Sequence, residues 1–128
     1  IRRSSRRASV LRLNLTAEHG SALIIVRPDG ARTPSSYQVV VLFPAQRDTW
    51  SRAGEDVDHF RLTTVSRDGR AEFSGVLPGD YLTAAIDTDR PGFVWRDAHV
   101  LERLAADATT IHVSAHAQAS ASVGAIPE

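Results

Sequence analysis

The sequence predicts an all-β protein, a seven-stranded antiparallel β-sandwich of the Greek-key type with one short α-helix near residues 97–107. Three observations support this fold class. The chain contains about seven short apolar or alternating segments, turns rich in glycine, proline and aspartate separate them, and only one segment has helical spacing. With 128 residues, 42% of them hydrophobic, the chain is long enough for one domain with a substantial core.

The first three predicted strands precede residue 45. Leu11, Leu13 and Leu15 alternate with polar residues, as in a half-buried strand. Residues 21–26 form an apolar run of strand length, and an Arg-Pro-Asp-Gly turn follows it. Residues 37–43 are the segment richest in β-forming side chains, and Pro44 ends it.

The remaining predicted strands follow residue 59. Segments 60–65 and 71–73 flank an Asp-Gly pair, which is typical of a tight hairpin. Segment 81–86 alternates two faces, its even-numbered residues on one and its odd-numbered residues on the other. Segment 111–113 lies in the last clear strand.

Two turn signals of different kinds surround the short strand at 71–73. Asp68 and Gly69 supply the positive φ values that a tight hairpin requires. Pro78 fixes its own φ and Gly79 can turn left-handed, so this pair predicts a second reversal. Tyr81 opens the next apolar segment, where its ring can be buried while its hydroxyl bonds back to the turn. We therefore assign these five residues structural roles.

One segment has helical spacing. Its apolar residues stand at positions 100, 101, 104 and 105, and Asp97 is a suitable N-cap, so we expect one helix before the last strand. Trp95 is well placed to pack on Leu101 from outside that helix. Residues 117–128 are rich in alanine and serine, and we expect them to extend the last strand only briefly.

The chain divides into three predicted parts. Residues 1–8 form a basic Arg/Ser linker at the end of an upstream segment, residues 9–116 form the sandwich domain, and residues 117–128 form a tail. Five arginines and no acid occur in residues 1–12, which also fits contact with nucleic acid or anionic lipid. We favour the solvated linker. The absence of methionine indicates a fragment or a processed product.

Composition and spacing argue against several kinds of chemistry. There is no cysteine, and no apolar run approaches the ~20 residues of a membrane helix, so we expect no membrane insertion. His112 and His116 would stand about 13 Å apart on a strand, too far to share a zinc ion. The loop acids at 56, 58, 87 and 89 do not continue into a calcium-ligand series. We predict no metal, no cofactor and no catalytic residues, because no nucleophile elbow or phosphate loop is present.

Six elements follow one another in the order and approximate spacing of a known family: Tyr37–Ala45, Trp50, Arg67–Arg70, Val76–Leu82, Trp95–Asp97 and Leu101–Leu104. In these the chain resembles the carboxypeptidase regulatory-like domain family, a transthyretin-like (prealbumin-like) group of β-sandwiches. The resemblance covers roughly residues 21–113. The chain differs from the family at residues 23–26, where it has Leu-Ile-Ile-Val and the family commonly has a Gly-x-Val signature. It also has one proline before Tyr81, where the family often has two. The resemblance implies a bacterial accessory module without a catalytic motif.

Aromatic residues in two long loops are the candidate ligand-binding residues. Trp50 lies in the connection 45–58, and Phe93 and Trp95 lie in the connection 87–97. Exposed tryptophans can stack on sugar rings. We favour the alternative that each ring covers an opening in the core or packs on the helix. Strand parity places the two loops at opposite ends of the sandwich, so we expect the two indoles to serve different ends unless a loop folds back along the sheet.

These observations predict a non-catalytic accessory module of a larger exported bacterial protein, serving as a spacer, a stabiliser or a protein-contact domain. The alternative is a carbohydrate-binding module that uses the loop tryptophans. Expected partners are other domains of the same polypeptide or another protein, with a glycan as the alternative and no nucleic acid. The resemblance alone implies a periplasmic, cell-surface or secreted location.

Overall fold

The computed structural model describes residues 19–27, 37–88 and 95–127. The strands are β1 (Gly20–Arg27), β2 (Tyr37–Pro44), β3 (Arg61–Thr64), β4 (Arg70–Val76), β5 (Gly79–Thr88), β6 (Thr109–Val113) and β7 (Gln118–Pro127). A 3-10 helix spans Arg47–Arg52, and helix α1 spans Ala98–Ala105. The predicted strand at residues 10–15 and the predicted linker at residues 1–8 lie outside the described residues.

The strands form one curved sheet in the order β3-β2-β5-β7-β1-β4, and β6 also pairs with β5. β5 is antiparallel to β2 and β6, whereas β7 is parallel to β1 along residues 118–124 and parallel to β5 along residues 125–127. β7 therefore joins the half containing β1 and β4 to the half containing β2, β3, β5 and β6. The edge strands β3 and β4 approach each other, so the sheet is nearly a barrel.

The predicted purely antiparallel Greek-key sandwich is wrong, because β7 makes the sheet mixed. The expectation that residues 117–128 extend the last strand only briefly is also wrong, since ten of them form β7. Val123 is 4% exposed, and Ala119, Ala121 and Ala125 pack against the core. Small side chains suffice here because β7 lies between two other strands, and ladder hydrogen bonds to β1 and then to β5 hold its backbone.

Two hydrophobic cores stabilise the domain. The first lies between the two halves of the sheet and includes Ile24, Leu42, Phe73 and Val123. The second lies on the outer face of β2 and β5, beneath the 3-10 helix, the loop that follows it and α1. β2 is consequently buried on both faces from residue 39 to residue 43. Burial on both faces explains why its sequence is a continuous apolar run.

The turn at Asp68 and Gly69 connects strands that do not pair with each other. β3 pairs with β2 and β4 pairs with β1, so the predicted hairpin is instead a link between the two halves of the sheet. The turn itself has the predicted geometry, since Gly69 has a φ of +80° and its N–H donates to the carbonyl of Ser66 at 3.0 Å. After the turn, β4 leaves β3, pairs with β1 and places Phe73 in the first core.

A β-bulge in β4 allows Arg61 to tie β3 to β4. The pairing of β1 with β4 shifts opposite residues 74–75, where Gly75 has a φ of +62°. The Arg61 guanidinium donates to the carbonyl of Ser74 at 2.9 Å and to that of Gly75 at 3.3 Å. One side chain thus bridges the seam between the two edge strands of the sheet.

The reversal before β5 also has the predicted geometry. Gly79 has a positive φ of 154°, and Tyr81 is 1% exposed. The Tyr81 hydroxyl donates to the carbonyl of Leu77 at 2.7 Å, so the ring is buried while its polar end bonds to the turn. Burial raises the pKa of Tyr81 to about 12, and the nearby Asp56 carboxylate adds to this effect.

Helix α1 begins where the sequence predicts. The Asp97 carboxylate accepts hydrogen bonds from the backbone N–H groups of His99 at 2.8 Å and Val100 at 3.4 Å. Leu101 and Leu104 are buried, and the helix ends two residues before the predicted boundary. Neither helix in the described ranges is long and apolar enough to cross a membrane.

Candidate functional site

The two candidate tryptophans are buried. Trp50 is 2% exposed, its Nε1 donates to the carbonyl of Pro44 at 2.8 Å, and its ring meets Phe43 edge-on with centroids 5.5 Å apart. Trp95 is 6% exposed. Phe93 lies outside the described residues. A sugar stacks on an exposed aromatic face, so Trp50 and Trp95 would have to leave the core to provide one.

Both indoles belong to the second core, which corrects the expectation that they serve different ends of the sandwich. The two connections start at opposite ends of the sheet, but the described parts of both fold back over its outer face. Two contacts hold these connections together. Arg96 donates to the carbonyl of Ala53 at 3.2 Å, and Arg47 on the 3-10 helix forms an ion pair with Glu102 on α1.

A polar groove lies at the end of the sheet where β2 finishes and β5 begins. It consists of two adjoining depressions of about 400 Å³ each, which share Pro44, Gln46 and His59. We call this the end groove. Its walls are formed by Pro44, Ala45, Gln46, Asp48, Thr49, Arg52, Asp56, His59, Pro78, Gly79, Asp80 and Tyr81.

Asp56 holds His59 in a fixed orientation in the wall of the end groove. The imidazole Nδ1 donates to Asp56 Oδ2 at 2.8 Å, and Asp56 Oδ1 accepts from the N–H groups of Asp58 and His59 at 3.2 and 3.1 Å. An ionised carboxylate only accepts, so Nδ1 carries the proton, and Nε2 is left for a hydrogen bond with a ligand. The His59 side chain is 39% exposed and can therefore meet a ligand.

A second Asp–His pair stands beside the groove. His112 on β6 donates from Nδ1 to Asp80 Oδ1 at 2.7 Å, and Asp80 is part of the groove wall. Both side chains are about two-thirds exposed, so solvent weakens the interaction. The pair fixes the position of the Asp80 carboxylate more than it stabilises the fold.

Three side chains of the groove wall have no intramolecular polar partner in the described part of the chain. Gln46 precedes the 3-10 helix, while Asp48 and Arg52 lie on it. Asp48 and Arg52 carry opposite charges, yet they form no ion pair with each other or with any other described residue. Their polar groups are therefore available to a ligand.

A second candidate surface lies at β3, the four-residue strand that is outermost in the sheet order. Leu62 on β3 is 38% exposed, and Val57 in the loop before it is 61% exposed. They are the large hydrophobic residues exposed within the described ranges. We call Val57, Leu62 and the exposed face of β3 the contact edge.

Sequence reasoning did not identify either surface. His59 was isolated in sequence, and Asp56 was one of several loop acids. The signal that could have related them is the spacing Asp56-x-Asp58-His59, since an aspartate commonly bonds to backbone two or three residues on. Nothing local relates Gln46 or Asp48 to Asp80, because tertiary folding brings the two segments together.

Comparison with models of known protein families gives no match, and comparison with characterised protein sequences gives none either. The resemblance to the carboxypeptidase regulatory-like domain family is therefore not confirmed.

Three solved structures are similar in fold. The TIE protein of Bacillus anthracis is 15% identical with a TM-score of 0.48, and the match covers 84% of this chain and 16% of that one. The minor pilin of Streptococcus agalactiae is 16% identical with a TM-score of 0.46, and the match covers 85% of this chain and 44% of the pilin. A Pseudomonas aeruginosa protein proposed to bind carbohydrate is 14% identical with a TM-score of 0.46, and the match covers 85% of this chain and 90% of that protein. The chain thus spans less than half of either of the first two, and at these identities the similarity concerns the fold alone.

Proposed function

We propose that this chain is a non-catalytic accessory module of a larger exported bacterial protein and that it works as a protein-contact domain. The observation that carries the proposal is the contact edge. Large apolar side chains that are exposed on a surface mark interaction sites, because a partner protein can remove them from water. Leu62 on β3 and Val57 in the preceding loop are such side chains.

The arrangement of the polar groups supports a non-catalytic role. An Asp–His pair becomes a nucleophilic catalyst when a hydroxyl or thiol bonds to the free imidazole nitrogen. In the described residues no serine or threonine hydroxyl bonds to His59 or His112, and the sequence has no cysteine. The pairs can therefore orient polar atoms for binding, which needs no nucleophile.

Carbohydrate binding through Trp50, Phe93 and Trp95 is the competing hypothesis. It would require Trp50 to break its hydrogen bond to Pro44 and to leave the second core. Exposing an indole of this size costs roughly 2–3 kcal/mol in lost burial alone. The contact edge is exposed without any rearrangement, which favours a protein partner.

Site-specific photo-cross-linking in the full-length protein tests the proposal. A photoreactive amino acid at Leu62 is expected to yield one discrete adduct, with a neighbouring domain or a partner protein. The same group at Glu72, on the outer face of β4, is the control and is expected to yield none. Equal labelling at both positions, or none at Leu62, would contradict the contact role and leave that of a spacer.

A further inference from the structure

We infer that the end groove is a binding site for a neutral saccharide chain, separate from the buried tryptophans and from the contact edge. Each of its two depressions has a volume of about 400 Å³, which lies within the ~300–1,000 Å³ range of small-ligand sites. They adjoin through shared walls at Pro44, Gln46 and His59. Two consecutive sugar units of one chain can therefore occupy them together.

The charges in the groove disfavour an anionic ligand. Its carboxylates belong to Asp48, Asp56 and Asp80. Three donors already occupy Asp56, and the His112 imidazole bonds to Asp80. The Asp48 charge is offset by Arg52 in the same depression. Asp56 and Asp80 keep their negative charges, so the groove disfavours phosphates and other anions.

The available polar atoms match hydroxyl groups, each of which both donates and accepts. The Gln46 amide offers both functions, Asp48 accepts, and the Arg52 guanidinium donates. His59 adds Nε2, a further hydrogen-bonding atom on the ring that Asp56 holds in place. Vicinal hydroxyls can bond two at a time to planar groups such as the Asp48 carboxylate and the Arg52 guanidinium.

The groove also has apolar walls against which the C–H faces of a sugar ring can pack. Pro44, Ala45 and Pro78 supply this apolar surface. A divalent cation is a poorer occupant, because no group of three His, Asp or Glu side chains close enough to hold a metal occurs among the described residues.

The test is a titration of the full chain with hexasaccharides of β-1,4-glucan, of N-acetylglucosamine and of α-mannan, followed by calorimetry and by Trp fluorescence. Trp50 lies between groove residues of the 3-10 helix and serves as a reporter. We expect saturable binding of at least one hexasaccharide. Asp48→Asn and Gln46→Ala should each weaken it about tenfold. Asp107→Asn, the same chemical change at an exposed position after α1, should leave it unchanged.

Three results would overturn the inference: no saturable binding with any hexasaccharide, binding that Asp48→Asn and Gln46→Ala leave intact, or binding only of a tetra-arginine peptide used as a cationic probe. Circular dichroism of each variant separates a lost contact from a lost fold. Because none of these substitutions touches Val57 or Leu62, the outcome is independent of the cross-linking experiment. A contact domain without saccharide binding and the reverse can each be recognised.

Discussion

Replacing Tyr81 by phenylalanine should lower stability at neutral pH and remove most of the loss of stability that we expect above pH 10. Tyr81 is 1% exposed, and its hydroxyl donates to the carbonyl of Leu77 at 2.7 Å. The variant keeps the buried ring and loses one hydrogen bond. Loss of such a bond typically costs about 0.5–1.5 kcal/mol, so we expect a neutral-pH destabilisation of about 1 kcal/mol.

The alkaline effect follows from the raised pKa of Tyr81. The phenol has an ordinary pKa of 10.0, and burial raises the folded value to about 12. Below pH 10 both states keep the proton and the stabilisation is complete. Between pH 10 and pH 12 the unfolded state ionises first, so folding stability falls as pH rises. Two pKa units correspond to about 2.7 kcal/mol, but the hydroxyl end is only part-buried, and screening reduces the expected loss to about 1–2 kcal/mol.

The composition leaves few side chains that titrate between pH 10 and pH 12. All fifteen basic residues are arginines, which stay charged to pH 12, and there is no lysine or cysteine. The two tyrosines are therefore the side chains that titrate in this range. In a Tyr37→Phe background the near-ultraviolet absorbance of tyrosinate reports Tyr81 alone. Urea unfolding of this background and of the Tyr37→Phe/Tyr81→Phe double variant, from pH 7 to pH 12, gives the two stability curves.

We expect those curves to differ by about 1 kcal/mol at pH 7 and to converge or cross near pH 12. The Tyr81 phenol should titrate near pH 12 in the folded protein. Parallel curves across the whole range, or a folded phenol that titrates at its ordinary pH of about 10, would refute the reasoning. Either result would mean that water reaches the hydroxyl despite its bond to Leu77.

Three further substitutions test the packing and the caps. Gly20→Ala places a Cβ 2.2 Å from the carbonyl oxygen of Ser114, so we expect a lower melting temperature that corresponds to a loss of about 1–3 kcal/mol. In the control Gly54→Ala the new Cβ has no atom within 4 Å, and the melting temperature should change little. Equal melting temperatures of the two variants would contradict the close approach at Gly20. Asp97→Ala removes the N-cap of α1 and should cost about 1 kcal/mol in urea unfolding, and an unchanged midpoint would show that the cap is dispensable. Arg61→Met keeps the aliphatic stem but loses two hydrogen bonds to β4, so hydrogen exchange of the β4 amides should accelerate. Unchanged exchange rates of these amides would argue against a bridge between β3 and β4.

The features that the sequence predicted correctly are local ones. Gly69 has the positive φ that its turn requires, Asp97 caps α1, and Tyr81 bonds to the turn before it. Each depends on backbone geometry within about four residues, which the identity of glycine, aspartate or tyrosine constrains directly. The alternating faces of β5 are also confirmed, with Ala84 in the second core and Ala85 in the first.

The features that sequence reasoning missed depend on which segments meet. The end groove combines the connection after β2 with the turn before β5, two segments between which β3 and β4 lie in the chain. Trp50 and Trp95 lie in loops from opposite ends of the sheet, and their common burial follows from the way both connections fold back. The expected roles of Trp50, Phe93 and Trp95 in ligand binding stay a prediction.

By itself, the sequence determined the class of the fold, most strand positions, the single α-helix and the chemistry of the turns, because hydrophobic periodicity and special φ values act over a few residues. Only the tertiary structure decided that β7 runs parallel to β1 and β5, that β3 and β4 pair with different strands after their turn, and that the two tryptophans lie in one core. Strand pairing is a choice among distant partners, and alanine- and serine-rich segments such as β7 carry almost no pattern to specify it. The physical reason is that ladder hydrogen bonds are the same for every sequence, so burial of the whole sheet selects the partner.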